Sequence, residues 1–174
     1  EQREWAQLRQ LECVLAIDDA NDEPAVAPAF QELINNANPE VSLQARFDLS
    51  KHYLALNERD SALETISGEN ASLLGSGWDL SAQEIKVAVL IELTRFDEAQ
   101  DVLNQLRRRW PQDEEIRVNV MLQVANIQLV EGLLTEAAST ANLAKNTTTD
   151  PIYQSRAETM LEQIEDRINN SSPQ

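Results

Sequence analysis

Three alanines constrain the fold of this chain more than any other feature. Ala62, Ala99 and Ala137 each stand early in a segment of helical periodicity. Each is followed four residues later by an apolar residue, in Ala62-x3-Ile66, Ala99-x3-Leu103 and Ala137-x3-Ala141. The spacings between the alanines are 37 and 38 residues. A longer apolar-periodic segment and a very short break precede each one, so the layout repeats a helical hairpin. A small residue on each helix lets the two backbones approach closely. The larger residue one turn on fills the space against the next hairpin. A single hairpin cannot bury its apolar face alone, so such units must stack.

The rest of the chain reads the same way. Only four glycines and six prolines punctuate 174 residues, and Ala, Leu, Glu, Gln and Arg, all good helix formers, are abundant. A first helix is expected over residues 2–17, with Trp5, Leu8, Leu11 and Leu15 on one stripe. After a polar break at 18–23, Pro24 and Pro28 suit the start of a second helix. Phe30, Leu33, Ile34 and Ala37 follow at helical spacing, and Asn38-Pro39 ends it. Further helices are expected at 41–56, 59–66, 80–93, 96–109, 113–130, 135–145 and 151–169. Gly68, Trp110-Pro111 and Gly132 mark stops or turns. Residues 69–79 hold Gly75, Gly77 and Trp78 and read as an irregular stretch with one extra helical turn at 71–74. No strand pattern competes.

The expectation is therefore an all-α chain with one domain over 1–169. Its hairpins lie at 1–37, 41–67, 79–109 and 113–146. A capping helix at 151–169 turns Ile152, Met160, Leu161 and Ile164 inward, and 170–174 form a disordered tail.

The hairpin segments resemble the tetratricopeptide repeat family. Leu49-Ser50-x2-Tyr53 follows its first-helix pattern with serine in place of glycine. Lys86-Val87-x2-Leu90 follows it poorly, but Phe96-x2-Ala99 and Pro111 fit well, and Val124-Ala125-x2-Gln128 with Gly132-x4-Ala137 fits the third unit. The standard unit is about 34 residues, slightly shorter than the period here. The likeness covers 41–145 and extends only loosely to the first hairpin. It implies a right-handed α-hairpin solenoid of four helix pairs plus the capping helix. An irregular helical bundle without a repeat is the competing reading.

The chemistry of catalysis is sparse. Cys13 is the only cysteine and His52 the only histidine, so no intramolecular disulfide forms and no Cys/His metal site can be assembled. Cys13 falls in the run Leu11-Glu12-Cys13-Val14-Leu15 and is expected to be a buried, inert thiol. No GxxxxGK[ST] or GxGxxG loop is present. Asp18, Asp19, Asp22 and Glu23 could attract a hard cation, but the spacing and glycine of a calcium loop are missing, so a charged turn is the simpler reading. Arg107-Arg108-Arg109 is the one dense basic run, placed where cations oppose the negative end of a helix dipole. No enzymatic activity, cofactor or metal is expected.

The formal net charge of −16 works against binding to phosphate backbones or anionic lipid surfaces. No apolar run is long enough to span a membrane. The chain opens at Glu1 rather than at Met, which leaves cytoplasmic and periplasmic placement equally open. The family resemblance implies a protein-interaction module, a scaffold, adaptor or assembly factor, with ligands lying along the first helices of successive hairpins. The corresponding positions are Phe47, Lys51 and Leu54, then Glu84, Ala88 and Ile91, then Leu122, Asn126 and Leu129. They describe a mostly apolar groove suited to an amphipathic or extended apolar peptide. A basic protein or a second copy of the chain are the other partners in view. The alternative is a regulatory or docking part of a larger enzyme, sensor or membrane-anchored protein. The Lys/Arg/Asn clamp that one family subtype places around a peptide carboxylate is not expected. Lys51 and Asn126 occupy two of its places, but Glu84 and Ala88 stand between them.

Overall fold

A computed structural model describes residues 2–17, 23–67 and 71–171. Among these the chain is all-helical, without strands. The helices are α1 (Gln2–Ile17), α2 (Glu23–Asn36), α3 (Pro39–Ala55), α4 (Arg59–Ile66), α5 (Ser76–Glu92), α6 (Phe96–Arg109), α7 (Glu114–Glu131), α8 (Leu134–Thr147) and α9 (Pro151–Ser171), with a single 3-10 turn at Ala71–Leu73. None is long and apolar enough to cross a membrane. The chain divides into two compact units, Glu1–Leu93 and Thr94–Gln174. The division falls inside the third expected hairpin. The acidic break at 18–22, the Gly68 stop and the last residues of the expected tail lie outside the described residues.

In the first unit α3 is the central helix, because it carries two apolar stripes rather than one. Val41, Ala45 and Leu49 recur every four residues and join Leu8 of α1 and Phe30 and Ile34 of α2 in one core. Leu43 and Phe47 point the other way, into a second core with Ile66 of α4, Ala71 and Ala82 of α5. Asn38 both separates α2 from α3 and opens α3. Its Oδ1 accepts from the backbone N–H groups of Glu40 and Val41 at 3.1 and 3.2 Å, ahead of Pro39 in the first turn. Its Nδ2 donates to Glu4 at 2.8 Å, which ties α1 to the start of α3 and holds the Glu4 carboxyl below the usual carboxylate range. Helix-end carbonyls are satisfied by side chains. Ser42 donates to the Ile34 carbonyl at 2.7 Å and Arg46 to the Thr65 carbonyl at 3.0 Å.

The α3–α4 hairpin rests on close approach. Ala62 is fully buried, and the Ser50 hydroxyl, also fully buried, donates to the Ala62 carbonyl at 3.3 Å. A serine here serves as a small residue that also brings its own hydrogen-bond partner. In the second unit Ala125 of α7, Ala137 and Ala141 of α8 and Ile164 of α9 form one core, with Leu129. Val118 and Leu122 of α7 join Ala144, Tyr153 and Ala157 in another. Ala99 of α6 is fully buried as well.

The turns after α3 and α7 are the same to the level of individual bonds. Asn57 and Gly132 take left-handed φ values of 65° and 82°. After α3, Asn57 donates to the Leu54 carbonyl and Glu58 to the Tyr53 carbonyl; after α7, Gly132 donates to the Leu129 carbonyl and Leu133 to the Gln128 carbonyl. This is the paired closure of a Schellman motif, which recovers the last carbonyls of the helix. A third left-handed residue, Thr94 at φ 57°, follows α5. Asn57, Thr94 and Gly132 recur at the same 37- and 38-residue intervals as the alanines.

Helix α9 closes the second unit with one apolar stripe, Tyr153, Ala157 and Ile164, and an exposed face that includes Ser155, Glu158, Glu162 and Glu165. The Thr148 hydroxyl accepts from Asp150 N–H and the Asp150 carboxylate from Ile152 N–H, which caps α9 before Pro151 can interfere. Tyr153 donates to Glu115 of α7 at 2.8 Å, and burial together with that acceptor pushes its hydroxyl up to about 12. Arg167 donates to the Leu129 carbonyl at 3.0 Å.

Four expectations are corrected. Helix α5 begins at Ser76 rather than near residue 80, so Trp78 sits in its first turn and not in a loop. Pro28 lies inside α2 rather than at its start. Cys13 is exposed, because it falls 200° around the helix from Leu11 and so faces away from the core stripe. Ile152 is 69% exposed, since only the stripe beginning at Tyr153 meets α7 and α8.

Two substitutions check this account. Ala62→Leu forces extra volume between α3 and α4 and lowers stability by about 1–3 kcal/mol. Gly132→Ala meets no neighbour within 4 Å of the added Cβ, so its expected loss of about 1–2 kcal/mol is purely the left-handed backbone penalty. Thermal unfolding measures both, and an unchanged melting temperature for either contradicts the corresponding contact or turn.

Candidate functional site

The nine groove positions divide sharply by burial. Phe47, Ile91, Leu122 and Leu129 are buried at 5%, 8%, 2% and 4% exposure, where a partner groove needs exposed apolar groups. Lys51 and Ala88 are exposed, and Leu54, Glu84 and Asn126 are half-buried. The apolar members are core residues. Phe47 is claimed by α4 and α5, Leu122 by Tyr153, Ala144 and Ala157, and Leu129 by Ala137, Ala141 and Ile164. The mostly apolar groove expected from the repeat pattern is therefore corrected to narrower clefts with mixed linings.

One such cleft lies in the first unit, between α3 and α5, and has a volume of about 490 Å3. Gln44, Phe47 and Lys51 line it from α3, and Gly77, Trp78, Ser81, Glu84 and Ile85 from α5. It brings together three of the nine positions, Phe47, Lys51 and Glu84. Its floor is aromatic: the Phe47 and Trp78 rings lie 6.0 Å apart at 34°, within the range of favourable offset or tilted pairs. Phe47 is locked in the core, while Trp78 is half-buried and keeps an accessible surface. Gly77 stands at the rim beside Trp78, where an added Cβ would meet nothing within 4 Å.

The early start of α5 creates this site. Gly75, at φ 121°, stands at the N-cap, a backbone state reserved for glycine. Asp79, fully buried in the first turn, faces the positive end of the helix dipole and accepts from Gln83 at 3.2 Å. With the first turn formed, Trp78 turns onto Phe47. No side chain caps this start, so Gly75 and Gly77 read in the sequence as loop residues and hide the first turn. Gln44, Ser81 and Ile85 had no sequence signal either, because they become neighbours only once α3 and α5 pack.

The electrostatics beside the cleft are unbalanced. Asp48, next to Phe47 on α3, is half-buried, and burial raises its carboxyl above the ordinary value. Two hydrogen bonds from Gln44, at 3.0 and 3.2 Å, work against that rise; the Glu12 carboxylate of α1 adds to it, and Lys51 again lowers it. Glu12 itself pairs with Arg9 at 2.6 Å on the surface.

A cleft in the second unit, about 350 Å3, lies between α7 and α9. It is lined by Leu122, Gln123 and Asn126 and by Ser155, Arg156, Thr159, Met160 and Gln163. It holds two more of the nine positions, mixes polar side chains with Leu122 and Met160, and has no aromatic floor. A third cleft, about 500 Å3 between α1 and α2, has Leu11, Val14, Ala29, Leu33 and Ala37 in its lining beside Arg3, Gln7, Gln10 and Glu32, but no aromatic ring. Leu54, Ala88, Ile91 and Leu129 line none of the three. Among the described residues no group of three or more His, Cys, Asp or Glu side chains gathers to hold a metal ion.

No family model, no characterised protein and no solved structure matches this chain.

The raised Asp48 carboxyl fixes the sign of a pH effect. The folded state holds its proton more tightly than the unfolded chain, so this group favours folding at low pH and loses that contribution as the pH rises through its folded value. Asp48→Asn is therefore expected to raise the melting temperature at neutral pH, with the gain shrinking toward about pH 3.5. A gain that is equal at both pH values, or a loss at neutral pH, contradicts the electrostatic account.

Proposed function

We propose that this chain is a protein-interaction module, built of tetratricopeptide-like α-hairpins in a right-handed solenoid of about four pairs with a capping helix. In this reading it binds a peptide segment of another protein in the α3–α5 cleft. The observation that carries the binding role is the Phe47–Trp78 pair, an aromatic floor with one ring fixed and the other accessible, flanked by Lys51 and Glu84. Aromatic side chains held in place bring large contact area at low entropic cost and are favoured anchors at interfaces. The repeat reading is supported by the matched left-handed turns at Asn57, Thr94 and Gly132 and by the fully buried alanines at the same period. The polar outer face of α9 suits a terminal cap. The role of a scaffold or adaptor rests on analogy with such repeats.

Panning a random peptide library against the purified protein tests this. Enriched peptides are expected to carry a large apolar anchor and to lose about tenfold or more in affinity on Trp78→Ala. Ser81→Arg, which fills the cleft from a surface position without opening the core, is expected to have the same effect. No enrichment, or enriched peptides that bind Ser81→Arg as well as the unaltered protein, sinks the proposal.

A further inference from the structure

We infer that this chain pairs with a second copy of itself, face to face across a two-fold axis, through the outer side of the α1–α2 hairpin. That face shares no lining residue with the α3–α5 cleft, so the inference stands apart from the peptide-binding reading.

The face is open where a terminal pair of helices is ordinarily closed. Helices at the end of a stack carry polar outer sides, because nothing further packs on them. Helix α9 follows that rule, with Glu158, Glu162 and Glu165 exposed. The α1–α2 pair does not. A cleft of about 500 Å3 runs between its helices, and Leu11, Val14, Ala29 and Ala37 line it while only half-buried. Helix α3 packs against the pair through Val41, Ala45 and Leu49. A second hairpin laid on the cleft completes a four-helix arrangement and buries these side chains.

The polar rim selects the partner. Arg3 of α1 and Glu32 of α2 line the same cleft, both exposed, and among the described residues neither forms an ion pair. The rim thus offers one unmatched cation and one unmatched anion, on opposite helices. A uniformly basic or acidic partner satisfies one of them and repels the other. A copy turned by a two-fold axis satisfies both, since it brings its Glu32 to Arg3 and its Arg3 to Glu32, one contact made twice. Gln7 and Gln10 on the same rim are exposed amides, each a donor and an acceptor, and so complement their own copies. With Glu4 the lining carries a net charge of only −1. Two copies therefore meet here with little local repulsion, although each chain carries −16. The helices, of 16 and 14 residues, are about 24 and 21 Å long and about 10 Å wide. Two such faces in contact cover on the order of 1,000 Å2, the low end for a specific interface, so the pair is weak and concentration-dependent.

Sedimentation equilibrium of the purified chain, from about 5 to about 500 µM protein in about 150 mM salt, tests this. The mean mass is expected to climb from that of one chain toward that of two, with half-association at about 10–100 µM. Arg3→Glu places like charges at both equivalent contacts, and so does Glu32→Arg, so each is expected to weaken association about tenfold or more. An equimolar mixture of the two variants should regain the affinity of the unaltered protein, because every contact in the mixed pair again joins opposite charges. Both positions are exposed, so the variants should fold, and recovery on mixing shows that they have. A chain that stays monomeric to about 500 µM overturns the inference. So does a dimer that both reversals leave unchanged, or a loss that mixing does not restore.

Discussion

The close approach of paired helices is the constraint on which the rest of this structure depends. Where α3 meets α4, both contact positions are small, and Ser50 makes the contact polar as well as tight by bonding to the Ala62 carbonyl. Where α7 meets α8, Ala125, Ala137 and Ala141 take the same part. Close approach leaves little room for variation in the connection. After α3 and after α7 the chain turns through one left-handed residue and recovers the same two carbonyls. A larger side chain at the crossing would push the helices apart and loosen the core to which Ile66 or Leu129 belongs.

That constraint also explains which parts of the fold were legible in the sequence. Small residues at a fixed period and the breaks between helices are local features, so α1, α4 and α6 begin and end where periodicity, polar breaks and Trp110-Pro111 place them. The start of α5 was not legible. Gly75 and Gly77 read as loop residues, yet one serves as a cap that only glycine can fill and the other is simply tolerated in the first turn. The small residues mark where α3 meets α4 and where α7 meets α8 without deciding what each outer face meets. Periodicity cannot separate an apolar residue that faces a ligand from one that faces the next helix, and Phe47, Ile91, Leu122 and Leu129 turned out to belong to the core. Cys13 shows the converse. It lies in an apolar-looking run but points away from the stripe.

The candidate site arises from this same central helix. With two apolar stripes, α3 satisfies α1 and α2 on one side and α4 and α5 on the other, and its third side, bearing Gln44, Asp48 and Lys51, is left half-exposed. Helix α5 starts early enough to set Trp78 against that side. The outcome is an aromatic floor fixed by the core and edged by Lys51 and Glu84. Together these residues offer shape and an aromatic anchor.

The three tryptophans give the most direct reading of the central claim, because Trp5 lies on α1, Trp78 in the α3–α5 cleft and Trp110 at the end of α6. In a 15N-labelled sample each contributes one indole N–H signal. Titration with a peptide enriched against the protein should move the Trp78 indole signal, along with the amides of Lys51, Ser81 and Glu84, and leave the Trp5 and Trp110 indoles in place. A Trp78 signal that stays fixed while another indole moves would contradict the assignment of the α3–α5 cleft as the interaction surface.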